Sequence, residues 1–184
     1  MAIKRLVIDG FGQIELNNVA FRRDGRVEAQ CALDAEDFAS VPAENGMLLA
    51  VDKANRCIKF YNASEDLPLA INYSSEHLYD ERANALRDFS LKPGQLYPRM
   101  GYPAVGDLFT TNTLCYDDTE YTSEDALLTA LKACNTAVVY AGASTNGAWK
   151  VSATKPTAGV VAKVAKAYTM PDGQFGVKLQ ILGC

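Results

Sequence analysis

The side chains in this sequence best suited to chemistry are one histidine, five cysteines and a run of carboxylates between residues 117 and 125. His77 stands alone, which excludes any mechanism or metal site that needs two histidines from one chain. It lies in a polar stretch and reads as a surface residue. The cysteines are Cys31, Cys57, Cys115, Cys134 and Cys184. Their number is odd and no two form a C-x-x-C pair, so they read as free thiols and not as metal ligands or disulfide partners. The residue types for a Cys-His nucleophile pair are present, yet nothing local singles out one cysteine.

The carboxylates Asp117, Asp118, Glu120, Glu124 and Asp125 are the densest chemical group. Such residues bind hard cations such as calcium, but this spacing is not that of an EF-hand. Glu124 and Asp125 also have a simpler role at the positive end of a helix dipole. A carboxylate pair for glycoside hydrolysis is the other chemistry this group suggests. Its usual aromatic sugar platforms are scarce, with a single Trp in the chain. Solvated surface charge is the preferred reading. Asp9-Gly10-Phe11-Gly12 follows a strand but leads into another β pattern, so it lacks the helix N-terminus that would hold phosphate. G-x-x-x-x-G-K-[ST] is absent. No catalytic residue, cofactor or metal ligand is therefore assigned, and the expectation is a protein that is not an enzyme.

A different segment suggests binding. Leu96-Tyr97-Pro98-Arg99-Met100-Gly101-Tyr102-Pro103 combines residues enriched at interface cores with prolines that fix an extended shape. Leu96, Tyr97, Arg99, Met100 and Tyr102 are the candidate partner-binding residues. The mixed charge run from Glu76 to Arg87 reads as a solvated face.

These groups sit on a chain of 184 residues, 48% hydrophobic and 22% charged, with a formal net charge of -4. Such a composition supports a packed core. The mild acidity argues against a general nucleic-acid binder. No apolar run is long enough to cross a membrane, and the N-terminal apolar run stops at Asp9, unlike a signal peptide.

The pattern is mainly β with one clear helix. Ile3, Leu6 and Ile8 form a strand before the turn at 9–12, and Ile14 and Leu16 alternate after it. Val19 to Arg23 and Arg26 to Cys31 flank Asp24-Gly25, a hairpin cue. Asp34 to Phe38 reads as one helical turn capped by Asp34, and Pro42 to Gly46 as a loop. Met47–Val51 and Cys57–Tyr61 form a strand pair, Ser64 to Leu67 a turn, and Leu69–Tyr73 a strand. Residues 105–116 return to β. The helix is expected near 123–134, capped by Thr122 or Ser123, with Leu127, Leu128 and Leu131 on its apolar face. Thr136–Ala141, Ala148–Ser152, Val160–Tyr168 and Val177–Leu182 are the closing strands, and their spacing predicts small barrel or sandwich elements. The expected regions are 1–73, N-terminal and β-rich; 74–104, an extended loop or arm; and 105–184, barrel-like with the helix, with one continuous domain as the alternative.

The segment from Trp149 to Leu182 resembles the end of phage head decoration, or cement, proteins. The resemblance is carried by Val151-Ser152-Ala153-Thr154, the turn Pro156-Thr157-Ala158-Gly159, the strand Val160-Val161-Ala162-Lys163-Val164, and Asp172-Gly173-Gln174 followed by Val177-Lys178-Leu179-Gln180-Ile181-Leu182. Ala104-Val105-Gly106-Asp107 resembles turns of the same family. It implies a small β-domain that clamps neighbouring major capsid subunits, with no catalytic set to carry over. The expectation is then a non-enzymatic virion protein, assembled in a host cytoplasm, whose partners are the major capsid protein and further copies of itself. The alternatives are a tail or head-tail connector subunit forming rings or tubes, and a small carbohydrate-binding or hydrolytic domain.

Overall fold

The computed structural model describes residues 2–74 and 86–184. His77 and most of the charged run lie outside the described residues. In chain order the strands begin with β1 (Ile3–Arg5), β2 (Ile14–Asn18), β3 (Val27–Glu28), β4 (Ala32–Leu33), β5 (Ala43–Glu44), β6 (Leu48–Asp52), β7 (Cys57–Lys59) and β8 (Leu69–Asn72). They continue with β9 (Ser90–Leu91), β10 (Met100–Gly101), β11 (Leu108–Thr111), β12 (Leu114–Asp117), β13 (Tyr140–Gly142), β14 (Trp149–Ser152), β15 (Val161–Thr169) and β16 (Phe175–Gly183). Among the described residues, two α-helices, α1 (Ala20–Asp24) and α2 (Glu124–Lys132), and a short 3-10 helix at Leu86–Asp88 complete the regular structure. The chain is mainly β.

An eight-stranded sheet runs β1-β12-β14-β13-β15-β16-β11-β2, and a six-stranded sheet runs β3-β10-β8-β6-β7-β4. β5 and β9 form a separate two-stranded pair. One apolar cluster joins the inner face of the larger sheet, one face of the smaller sheet and α2; it includes Phe21, Leu48, Ile71, Phe109, Leu127 and Trp149. A second cluster covers the other face of the smaller sheet, with Leu49, Val51, Ile58, Ala70, Phe89 and Met100. Along β6 and β8, successive residues thus serve opposite faces, as period-2 side-chain alternation requires. Both strands are buried throughout.

The sandwich packing is as expected, but no closed barrel forms. The larger sheet ends at β1 and β2, which do not pair. The segment joining them is held elsewhere: Gly12 N donates to Glu44 Oε2 at 2.7 Å and Gln13 N to Asn112 Oδ1 at 2.8 Å. The expected N-terminal and C-terminal regions share this sheet. Of the expected arm, residues 86–104 supply β9 and β10, both paired within the fold.

The hairpin expected at Asp24-Gly25 is corrected. Residues 20–24 are helical, and Gly25, at φ 67°, ends the helix with its N–H on Phe21 O. A left-handed glycine serves a helix C-terminus as readily as a type I′ turn. The deciding contacts are distant: Asp107 Oδ1 accepts from Ala20 N at 2.7 Å, and Phe21 lies fully buried against Gly101, where a Cβ would collide with its ring. Asp34 caps as expected, accepting from Glu36 N and Asp37 N, but only a turn follows. The expected 42–46 loop contains β5. α2 matches its prediction closely. Ser123 Oγ accepts from Ala126 N, Leu127 and Leu131 are buried, and acidic residues fill its first turn.

The two sheets are tied by a buried polar seam around residues 44–46. Arg5 grips Glu44 through both guanidinium nitrogens, at 2.8 and 2.9 Å. Asn72 Nδ2 donates to Glu44 O at 2.9 Å, Thr113 Oγ1 to Asn45 O at 2.7 Å, and Trp149 Nε1 to Gly46 O at 2.8 Å. Gly46 has φ 82°, and a Cβ there would strike the Thr111 hydroxyl. Removing one partner of a shielded ion pair leaves the other uncompensated. Glu44→Ala should therefore lower the unfolding free energy by about 3 kcal/mol. Urea denaturation followed by the fluorescence of buried Trp149 measures this, and an unchanged midpoint would refute the seam's role.

Candidate docking surface

The segment 92–103 divides into an exposed tip and a buried stem. Its start is a turn: Gln95 N donates to Lys92 O at 3.2 Å, Gly94 takes φ 80°, and Pro93 precedes it. Proline then a positive-φ glycine is the type II arrangement. Lys92 N closes the turn further by donating to Gln95 Oε1 at 2.8 Å. Beyond it, Leu96 and Tyr97 are 50% and 53% exposed. They border a groove of about 590 Å³ that also includes Ala32 and Leu33 of β4. Among the described residues β4 pairs with β7 alone and is the outer strand of its sheet, so the tip stands beside a sheet edge.

The stem holds the tip in place. Pro98 is buried, and Arg99 N donates to Ser74 Oγ at 2.8 Å. The Arg99 guanidinium lies 5.9 Å from the Tyr73 ring centroid. Met100 is fully buried and sits between Glu28 of β3 and Asn72 of β8. Tyr102 is partly buried, its ring 5.0 Å from Lys53 Nζ. Of the five candidate residues, then, Leu96 and Tyr97 are presented outward together. Arg99 and Tyr102 are half-buried along the stem, and Met100 belongs to the core. Sequence composition favoured Met100 because methionine suits interfaces, but it suits irregular cores equally.

The acidic group is dispersed among internal donors. Asp117 Oδ1 accepts from Thr119 N at 3.0 Å and Thr119 Oγ1 at 2.7 Å, and Asp117 Oδ2 pairs with Lys150 Nζ at 3.2 Å. These contacts, the Thr119 hydroxyl first, hold the Asp117 carboxyl down at about 2. Asp118 accepts from Ala2 N, Glu120 from Ser152 Oγ and Ala153 N, and Glu124 from Val7 N. Among the described residues, no three His, Cys, Asp or Glu side chains converge as a cation site would require.

All five cysteines are free thiols. Burial pushes Cys115 up to about 11; burial, then the Asp34 carboxylate it donates to, pushes Cys57 up to about 11. Burial raises Cys31 and Cys184 as well. These thiols stay protonated at neutral pH, whereas the thiolate is the nucleophilic form. Cys184 is exposed, with Sγ donating to Pro103 O at 3.3 Å.

A larger cleft, of about 810 Å³, opens where the two sheets meet; Arg26, Ser64, Leu69, Tyr102, Val160 and Cys184 are among its walls. Sequence reasoning missed it, since its walls come from segments distant along the chain. Comparison with protein-family models, with curated proteins and with solved structures finds no match to this chain.

Two outcomes follow from this geometry. Met100→Ala should cost about 2–5 kcal/mol, because it empties a packed core site. Leu96→Ala and Tyr97→Ala should stay within about 0.5 kcal/mol of wild type in the same chemical melt. Asp117 has a folded pKa below its ordinary 3.8, so it stabilises the fold above pH 4 and loses that contribution as pH falls towards 2. Asp117→Asn should lower the melting temperature at pH 7 and flatten its decline between pH 4 and 2. An unaltered acid profile would rule the contribution out.

Proposed function

We propose that this protein is a non-enzymatic subunit of a phage virion that binds and stabilises the capsid shell, in the manner of a decoration or cement protein. The observation that carries the reading is the exposed Leu96–Tyr97 tip beside the β4 edge and its groove. The two side chains lie together at the rim of a groove, where a partner could seat, and tyrosine is a frequent anchor of binding energy. The tip rests on a stem fixed inside a sheet, so little order remains to be gained on docking. The resemblance of the C-terminal strands and turns to head decoration proteins supports the same reading.

The expected partner is the major capsid protein, with neighbouring copies of this chain completing the contact around a local symmetry axis. A small patch suffices for such a role. When many copies engage one lattice, modest contacts sum into strong retention.

Mass spectrometry of purified virions should find this chain at a copy number set by the capsid lattice. Its absence from virions would end the proposal. Shells assembled with a Leu96→Ala, Tyr97→Ala double variant should carry fewer copies and release their contents at a lower temperature than wild-type shells.

A further inference from the structure

The outer face of the β13-β15-β16 strip carries a charge arrangement that works against the fold. β15 is irregular: its register with β16 slips between Val164 and Lys166. Without that slip, alternation would place Lys163 and Ala165 outward and turn Lys166 towards the core. The extra residue re-aims the strand, as bulges do. Lys166 now stands directly across from Lys178, Lys163 from Gln180, and Tyr168 from Gly176, while Ala167 opposes the buried Val177. Tyr140 of β13 faces Lys163 on the other side.

Three lysines thus share one face, flanked by two tyrosines. Lys166 is exposed and the others are half-buried. Lys178 Nζ lies 5.7 Å from the Tyr168 ring centroid. β13, β15 and β16 contain no Asp or Glu. The carboxylate nearest by register is Glu15, beyond Thr110 of β11. Like charges directly opposed across strands destabilise a sheet. The chain as a whole is acidic, at -4, so this ridge runs against its overall charge.

We propose that the Lys163–Lys166–Lys178 ridge is a second docking surface, for a carboxylate-bearing protein surface on the capsid shell. This inference rests on the capsid-binding reading and names the chemistry of that partner. A protein partner fits better than a nucleic acid. The ridge has no arginine, the side chain that grips phosphate with a bidentate fork, and the chain's net charge opposes a polyanion. Lysine point charges among tyrosines steer and orient an acidic protein face.

The test titrates the full chain onto shells purified without it, at about 50 and about 300 mM salt. Wild type should bind more weakly at the higher salt. Lys166→Gln, Lys178→Gln should bind about tenfold more weakly at low salt and lose most of the salt dependence. Its melting temperature should equal wild type or exceed it by about 1–2 °C, as the opposed charges are relieved. Lys166→Glu, Lys178→Glu should bind more weakly still. A Gln variant with wild-type affinity and salt slope overturns the ridge and leaves the capsid reading standing. A Gln variant that melts several degrees lower shows a structural role and overturns it as well. Wild type that binds no shell at either salt overturns both. Binding of a duplex DNA oligonucleotide by wild type and not by the Gln variant reassigns the ridge to phosphate and overturns the protein partner.

Discussion

Burial of the turn at Glu44-Asn45-Gly46 is the constraint on which the two sheets depend. Backbone polar groups taken out of water must find partners, and here each partner comes from a different part of the chain. The carbonyls of residues 44, 45 and 46 accept from Asn72, Thr113 and Trp149. Gly46 N donates to Asn72 O, and Leu48 N to Gly147 O. Asn72 belongs to the smaller sheet, Trp149 to the larger, and Thr113 to the short connection between that sheet's β11 and β12. The turn thus fixes the sheets against each other by direction as well as by contact. Apolar packing alone would leave them free to slide, because it has no preferred register.

The Glu44 carboxylate extends the same device to the N-terminus. It takes Arg5 from the edge strand β1 and Gly12 N from the segment that leads into β2. Both edges of the larger sheet are thereby held to one residue of the β5–β9 pair. This explains why the sheet stays open: its first and last strands are occupied at the seam. It also explains the stem at 98–103. β9 pairs with β5, and β10 fills the place between β3 and β8, so the chain leaving Leu91 must return to Met100. The Lys92–Tyr97 excursion is the short path between two fixed points. Its outward position is a consequence of the core's demands on either side.

Local pattern was legible wherever local pattern decides structure. The 48–52 and 57–59 hairpin, the 161–183 hairpin and α2 all carry their signals in contiguous residues: a turn between alternating runs, or a cap before a helical stripe. The errors lie where distant partners decide. Residues 20–24 are β-compatible taken alone and become helical because Asp107 receives the first N–H and Gly101 makes room for Phe21. The parallel pairings of β12 with β14 and of β4 with β7 leave no mark in sequence, since a parallel neighbour is reached only through a crossover. For the candidate site, the 96–103 segment was legible as a unit, but its division into an outward Leu96–Tyr97 tip and a buried Met100 was not. Nothing in the spacing says that β10 is an inner strand.

The lysine ridge illustrates the same point from the side of function. Lys163 and Lys166 are three apart, a spacing that assigns them to opposite faces of any regular strand. Only the slip beyond Val164 brings them together, and a slip is visible only against the partner strand. A bulge gives up ladder hydrogen bonds, and opposed lysines add repulsion. Two unfavourable features at one place call for a compensating gain, and among the described residues the Lys178–Tyr168 cation–π contact offsets only part of it. The proposed contact outside the chain would account for the remainder. An acidic face laid across the ridge would neutralise the repulsion and use the side chains the bulge has turned outward. On the proposed capsid-binding reading, the Leu96–Tyr97 tip would supply apolar contact on the smaller sheet and the ridge would supply charge on the larger one. A subunit that grips a shell at two chemically different places fixes its orientation as well as its affinity, and orientation is what a repeating lattice of contacts demands.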